Sequence, residues 1–263
     1  MNPVAFAVPA ALLYIVATLL LARSPQRHGT ALLLASLAVL AHAGFHAAEV
    51  RAAGGPDLHF FAALSLASLA TAGVALVVSW LRPIAVIGIV TWPLAVLFLL
   101  LDAARGQPAP TLAAQSWQIT LHAVFALLAW ATLSLAALVA VMLFVQERAL
   151  RTHRMTRNVL ALPPLTLVEG LLFQLIGWGF VLLSATLLSG VLFVEDLFSQ
   201  HLVHKTTLSL AAWVVFGVLM FGRWRWGWRG RRAVRWTLVG VTLLLLAFVG
   251  SKFVLEIVLG RAV

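Results

Sequence analysis

Long apolar stretches alternate with short polar connections along the whole chain. A helix needs about 20 mostly apolar residues to cross the roughly 30 Å hydrocarbon core of a bilayer. Eight stretches meet this requirement, at about 4–22, 30–48, 59–80, 84–103, 117–145, 167–193, 206–222 and 235–257. The pattern predicts an all-α integral membrane protein in which eight transmembrane helices form a single polytopic domain, residues 1–263. Because the connections are too short for a soluble domain, we expect the function to reside in the helix bundle and its rims.

Composition supports a membrane protein and excludes several kinds of site. The chain is 63% apolar and 10% charged, with a mean hydropathy of +1.05. Soluble domains are typically about 45–50% apolar and about 25% charged. The chain contains no cysteine, which excludes disulfides, thiolate metal sites and a covalent haem attachment motif.

The basic residues predict the orientation of the spans, since cytoplasmic loops of membrane proteins are enriched in Lys and Arg. With the N-terminus outside, 13 of the 18 Lys and Arg residues fall in inner loops. These are Arg23, Arg27, Arg82, Arg148, Arg151, Arg154, Arg157, Arg223, Arg225, Arg229, Arg231, Arg232 and Arg235. We therefore predict that both termini lie on the outer side of a bacterial cytoplasmic (inner) membrane. The net charge of +10 then reflects topology, and no nucleic-acid partner is expected. The Trp- and Arg-rich segment 223–236 is interpreted as an interfacial anchor.

Histidines cluster on the predicted outer side. The six that fall there are His42, His46, His59, His122, His201 and His204. Ionisable residues at membrane depth are rare and usually functional, and neutral imidazole is a common iron ligand. At 1.5 Å per residue, His42 lies roughly 10 Å and His122 roughly 8 Å below the outer ends of their spans. This similar height suits two axial ligands of one haem. His46, one helical turn after His42, is a weaker candidate as a ligand or a propionate contact, whereas His59 and His201 are interpreted as interfacial residues.

Several segments resemble a known family. HKTTLSLAAW at 204–213, GWRGRRA at 227–233 and the end of the last span, FVGSKFV at 248–254, resemble the closing part of the cytochrome c assembly family of membrane proteins. LHAVFALLAWATLSLAALVAVMLF at 121–144 resembles the family's histidine-led span, and LAHA at 40–43 resembles its earlier histidine span. Over its full length the chain resembles the smaller HemX/YpjD-like branch of that family.

This resemblance implies a protein that binds haem b non-covalently and supports cytochrome c maturation. The partners it implies are the lipid bilayer, haem and other cytochrome c maturation proteins. His122 and His42 are the expected axial ligands of the haem iron, with His204 as an alternate ligand and Lys205 or Arg105 as weaker candidates beside the propionates. The larger members, CcsA and CcmC, present haem for attachment to apocytochrome c. Their tryptophan-rich outer loop and the outward histidine after the last span are both missing here.

These departures leave other functions open. The protein is not expected to be an enzyme. One alternative is a structural or regulatory membrane subunit with a degenerate haem site, which modulates haem synthesis or complex assembly. A small-molecule carrier that relays protons is a weaker alternative, because no internal repeat is evident. A bis-histidine electron carrier would require histidines within the inner halves of the spans, and the sequence has none there.

Overall fold

The computed structural model describes residues 3–24, 27–55, 59–82, 84–105, 117–152, 162–193, 203–250 and 253, with the side chain of residue 204 outside the description. These ranges contain helices and no strand. The helices are α1 (Val4–Arg23), α2 (His28–Ala53), α3 (Phe60–Leu81), α4 (Gly88–Ala104), α5 (Trp117–Arg151), α6 (Leu165–Phe193), α7 (Val203–Trp226) and α8 (Arg231–Leu245). A 3₁₀ turn, Ala85–Ile87, precedes α4, and a π-helical turn, Leu246–Gly250, follows α8.

The prediction of eight spans is confirmed, since eight helices in the described ranges are long and apolar enough to cross a membrane. Several helices are longer than predicted, among them α2, α5 and α7, the last of which runs from Val203 to Trp226 against a predicted 206–222. α2 continues past residue 48 to Ala53 and ends where Gly54 adopts a left-handed conformation with φ 78°, which glycine tolerates without steric cost. α5 continues past residue 145 to Arg151, because the added segment QERALR consists of good helix formers. The predicted end of the last span, at residue 257, lies outside the described residues.

The chain divides into two compact units, and the first contains α1 to α4. Within it, α1 packs against α2 and α4, and α3 packs against α2 and α4. Small buried residues dominate the contact between α1 and α2, including Ala17, Ala31, Ala35 and Ala38. Such residues let transmembrane helices approach closely and gain van der Waals contact. Because neighbouring helices run in opposite directions, the C-terminal ends of α2 and α4 and the N-terminal end of α3 meet at one end of this unit.

The second unit contains α5 to α8. In this unit glycines let neighbouring helices approach closely. A Cβ on Gly179 of α6 would lie 2.5 Å from Leu133 of α5, and a Cβ on Gly240 of α8 would lie 2.6 Å from Phe216 of α7. At one end of the unit, Arg223 donates a hydrogen bond to the Glu169 carboxylate at 3.0 Å. Large apolar side chains remain exposed along the helices of both units. In a membrane protein these side chains contact lipid, which agrees with the predicted bilayer partner.

Candidate functional site

Two histidines and a serine form a buried cluster in the first unit. His42 and His46 lie one turn apart on α2, and their rings stack with centroids 5.4 Å apart. Ser65, near the start of α3, places its Oγ 3.1 Å from His42 Nε2 and 3.0 Å from His46 Nε2. His42 is completely buried, and its ring meets the edge of Tyr14. The serine hydroxyl therefore links both imidazoles across a helix–helix contact.

The hydroxyl constrains the protonation of these rings. A hydroxyl has one hydrogen, so Ser65 donates to at most one imidazole, and the other ring must donate its own N–H. Nδ1 of His42 is buried and bonds to no residue that the structure describes. Buried polar atoms are normally hydrogen-bonded. His42 Nδ1 is therefore a buried atom of the first unit that has no hydrogen-bond partner among the described residues.

Two carboxylates adjoin the same cluster. Glu49 Oε2 lies 3.4 Å from His46 Nδ1, one turn further along α2. Asp102, in the last turn of α4, completes a group whose potential ligand atoms all lie within 4.8 Å of one another. His46, Glu49 and Asp102 are 7%, 4% and 1% exposed. Arg105, for which a propionate contact stays a prediction, places Nη2 3.6 Å from Asp102 Oδ1.

His122 lies in the second unit, near the start of α5, and is half-buried. Its Nδ1 lies 3.0 Å from Ser189 Oγ on α6, and Ser189 Oγ donates to the Thr186 carbonyl at 3.0 Å. Because the only hydrogen of that hydroxyl points to the carbonyl, the Ser189 oxygen accepts from His122 Nδ1–H. The ring is then the tautomer with its lone pair on Nε2. Metal-ligating histidines commonly have this arrangement.

The remaining predicted residues are placed as follows. Lys205 is half-buried in the first turn of α7. His204 belongs to α7, but its side chain lies outside the described part of the structure, as does the whole of His201. His59 directly precedes α3. His42 belongs to the first unit and His122 to the second, and their pairing on one iron stays a prediction.

Two serines, Ser65 and Ser189, orient the histidines of the candidate site. Ser65 and Ser189 contact imidazoles on neighbouring helices, whereas the Thr186 hydroxyl bonds its own helix backbone. A hydroxyl in an apolar span bonds either way at little cost. No local pattern distinguishes the two cases, so only the packing of the helices identifies these residues as part of a site.

The two histidine environments differ in how well they fit haem. His122 presents the Nε2 lone pair from a half-buried ring and has its other nitrogen fixed by Ser189, as an axial ligand requires. His42 has its Nε2 engaged with Ser65 and is 0% exposed, so only the buried Nδ1 is left for a ligand. The residues around His122 fit haem ligation better than those around His42.

Comparison with known proteins identifies the family. A family model described as cytochrome C assembly protein matches residues 28–259, which is most of the chain. The chain belongs to this family. The resemblance drawn from its sequence segments is thereby confirmed. No solved structure matches the chain significantly.

Individual proteins match parts of the chain. Inner membrane protein YpjD of Escherichia coli (strain K12) is 36% identical over 137 residues, covering 52% of each chain. A 28.8 kDa protein of Azospirillum brasilense is 38% identical over 161 residues, or 60% of this chain and 59% of that protein. Cytochrome c biogenesis protein CcsA of Mesostigma viride is 28% identical over 86 residues, or 32% and 28% of the two chains. The chain thus spans about half the length of the first two relatives.

Proposed function

We propose that this protein is a non-enzymatic haem-handling protein that supports cytochrome c maturation in the bacterial cytoplasmic membrane. Family membership supports the link to cytochrome c assembly. The relative from Escherichia coli carries the name inner membrane protein, which supports the membrane assigned. Other maturation proteins are the expected partners.

The observation that carries haem binding is the state of His122. Ser189 accepts its Nδ1–H at 3.0 Å and fixes the tautomer and the plane of the ring. Nε2 is left with its lone pair on a half-buried surface of α5. A neutral imidazole held in this way is an axial ligand for haem iron without further rearrangement. Haem b bound there would supply a redox-active iron, while the chain would orient it and limit its contact with water.

The second axial ligand of the haem iron would be one of the other histidines on the predicted outer side. His42 is the prediction from sequence, and coordination through its Nδ1 would give that buried nitrogen a partner. His204, in the first turn of α7, is the alternate ligand, and Lys205 beside it is a cation suited to a propionate. His46 contacts Ser65 and faces Glu49, which favours a role other than iron ligation.

One observation favours the alternative function. The first-unit histidine pair is fully packed, with Ser65 bonded to both Nε2 atoms. A histidine so enclosed suits a structural role as well as a ligand role. If His122 does not bind iron, a structural or regulatory membrane subunit with a degenerate haem site is the function that remains.

Absorption spectroscopy of the purified protein tests the proposal. Protein produced with ample haem should show a Soret band and a reduced α-band characteristic of histidine ligation. His122→Ala should abolish or strongly alter the spectrum, because it removes the proposed ligand. His59→Ala is the matched control, a histidine at the start of α3, and should leave the spectrum unchanged. His42→Ala and His204→Ala then identify the second ligand by which of them alters the spectrum.

A folded wild-type preparation that takes up no haem after reconstitution would overturn the proposal. An unchanged spectrum in His122→Ala, at equal protein level, would show that any haem present is bound elsewhere and would favour the structural-subunit function.

A further inference from the structure

We propose that His46, Glu49 and Asp102 form a binding site for a divalent first-row transition-metal ion. The three side chains come from the C-terminal parts of α2 and α4, and their potential ligand atoms lie within 4.8 Å of one another. This site is distinct from the proposed haem ligand His122 and does not depend on it.

Charge is the first argument for a cation. Glu49 and Asp102 are almost fully buried, and burying an ionised carboxylate is costly unless a cation or several hydrogen bonds compensate it. Arg105 lies 3.6 Å from Asp102 and balances one of the two charges. Glu49 forms no ion pair with any lysine or arginine of the described chain, and its neighbour is the imidazole of His46. Among the described residues, the Glu49 carboxylate therefore has only the imidazole of His46 beside it, and a bound cation would stabilise it.

The geometry of Glu49 is the second argument. Its Oε2 is buried and accepts no hydrogen bond from any described residue, although His46 Nδ1 is only 3.4 Å away. Two ligands held about 2.1 Å from one metal ion at a tetrahedral angle lie about 3.4 Å apart. The histidine and the carboxylate thus already have the spacing of two ligands of one ion, and the potential ligand atom of Asp102 lies within 4.8 Å of both.

Support around the ligands is the third argument. His46 Nε2 lies 3.0 Å from Ser65 Oγ, while Nδ1 faces the carboxylates. When Nε2–H donates to the serine, the Nδ1 lone pair points toward the cluster, as a metal-bound imidazole requires. Without a cation, that lone pair would face the oxygen of Glu49. In this arrangement Ser65 is a positioning residue, because its oxygen accepts from His46 Nε2–H and holds Nδ1 toward the carboxylates.

The ligand set identifies the class of ion. One imidazole nitrogen with two carboxylate oxygens suits ions from Mn²⁺ to Zn²⁺, because imidazole favours the later members and carboxylates the earlier ones. Ca²⁺ needs six to eight oxygen ligands, and Mg²⁺ also prefers oxygen and retains its waters. The described residues offer three protein ligands at this site, one of them nitrogen, so both of these ions should bind much more weakly.

The test is metal titration of the full-length, tag-free protein in detergent after treatment with a chelator. The wild type should bind about one more Zn²⁺ ion per chain than Glu49→Gln does. Mn²⁺ bound to the wild type should give the electron paramagnetic resonance signal of an immobilised ion. Excess Mg²⁺ should not displace either ion. The Asp102→Asn variant should lose the same equivalent, which provides a second variant if Glu49→Gln does not fold.

Two further variants separate ligation from unspecific effects. Ser65→Ala should weaken Zn²⁺ binding about ten- to a hundredfold, the usual effect of removing a partner of a metal-bound histidine. Glu147→Gln is the matched control: its Oε2 is also buried without a hydrogen bond to the described residues, but no histidine and carboxylate group adjoins it. This variant should bind Zn²⁺ as the wild type does.

Equal Zn²⁺ stoichiometry and affinity in the wild type, Glu49→Gln and Asp102→Asn would overturn the proposal, as would failure of the folded wild type to bind Zn²⁺ or Mn²⁺ at all. Uptake of Mg²⁺ in preference to both would overturn the assigned class of ion.

Discussion

Replacing Ser189 with alanine should weaken haem binding even though the substitution leaves the proposed iron ligand in place. The serine oxygen is 3.0 Å from His122 Nδ1, and its own hydrogen goes to the Thr186 carbonyl at 3.0 Å. Ser189 is only 6% exposed, so water would not readily replace the lost acceptor. The variant removes the side-chain acceptor of the imidazole and leaves the Thr186 backbone to bond the ring, so the other tautomer, in which Nε2 carries a proton and does not bind iron, becomes more populated.

The size of the effect follows from the role of such partners. Removing the residue that orients a metal-bound histidine typically lowers affinity about ten- to a hundredfold, or about 1.4 to 2.7 kcal/mol. Titration of haem into reconstituted protein, followed by the Soret band, measures this loss directly. Ser189→Thr retains a hydroxyl at the same position and should largely restore the affinity.

Ser184→Ala is the matched control for this prediction. Its hydroxyl lies on the same helix, donates to the Phe180 carbonyl and accepts from Trp213 Nε1, both at 2.8 Å. The substitution removes as many hydrogen bonds without touching His122, so it should lower stability and leave haem affinity unchanged. Equal haem affinities in the wild type and Ser189→Ala would refute the argument that Ser189 fixes the ligand tautomer.

Two further predictions concern the fold and its orientation. Gly179→Ala should destabilise the detergent-solubilised protein by about 1–3 kcal/mol through overpacking, because the new Cβ would lie 2.5 Å from Leu133. Gly177→Ala is the control and should leave the stability unchanged, because its Cβ would approach Met220 only to 3.7 Å. Equal melting temperatures of the two variants would contradict the prediction. The concentration of Lys and Arg in the predicted inner loops also gives the expected result of reporter fusions. Fusions after Asp57, Pro110 and Ser199 should report the outer side, and fusions after Arg27 and Arg154 should report the inner side. A consistent reversal would refute the orientation.

Most of the fold could be predicted from sequence because a bilayer imposes a simple rule on length and hydropathy. That rule located all eight spans, but it could not locate helix ends outside the apolar stretches. The end of α2 depends on Gly54 in the left-handed conformation, and the end of α5 depends on helix propensity beyond the apolar segment. Both signals were present in the sequence and are independent of hydropathy.

The candidate sites could be predicted only in part, for a physical reason. His46 and Glu49 share one face of α2 at a spacing of three residues, which any helix brings together. Asp102 comes from α4, and no periodicity in the sequence indicates that its carboxylate reaches that face. The same holds for Ser65 and Ser189, whose contacts with histidines depend on the rotation and register of neighbouring helices. Tertiary packing determines these contacts, and one sequence does not reveal it.

The kind of buried atom left unbonded indicates what each region can bind. Trp92 Nε1 is buried without a partner among the described residues, but an indole nitrogen only donates and cannot hold a metal ion. Glu49 Oε2 carries lone pairs and lies 3.4 Å from His46 Nδ1, so it can accept a cation where the indole cannot. The same reasoning separates the two histidines proposed as haem ligands. The contact of His122 Nδ1 with Ser189 leaves Nε2 of a half-buried ring as an acceptor, whereas Ser65 alone does not determine the tautomer of His42.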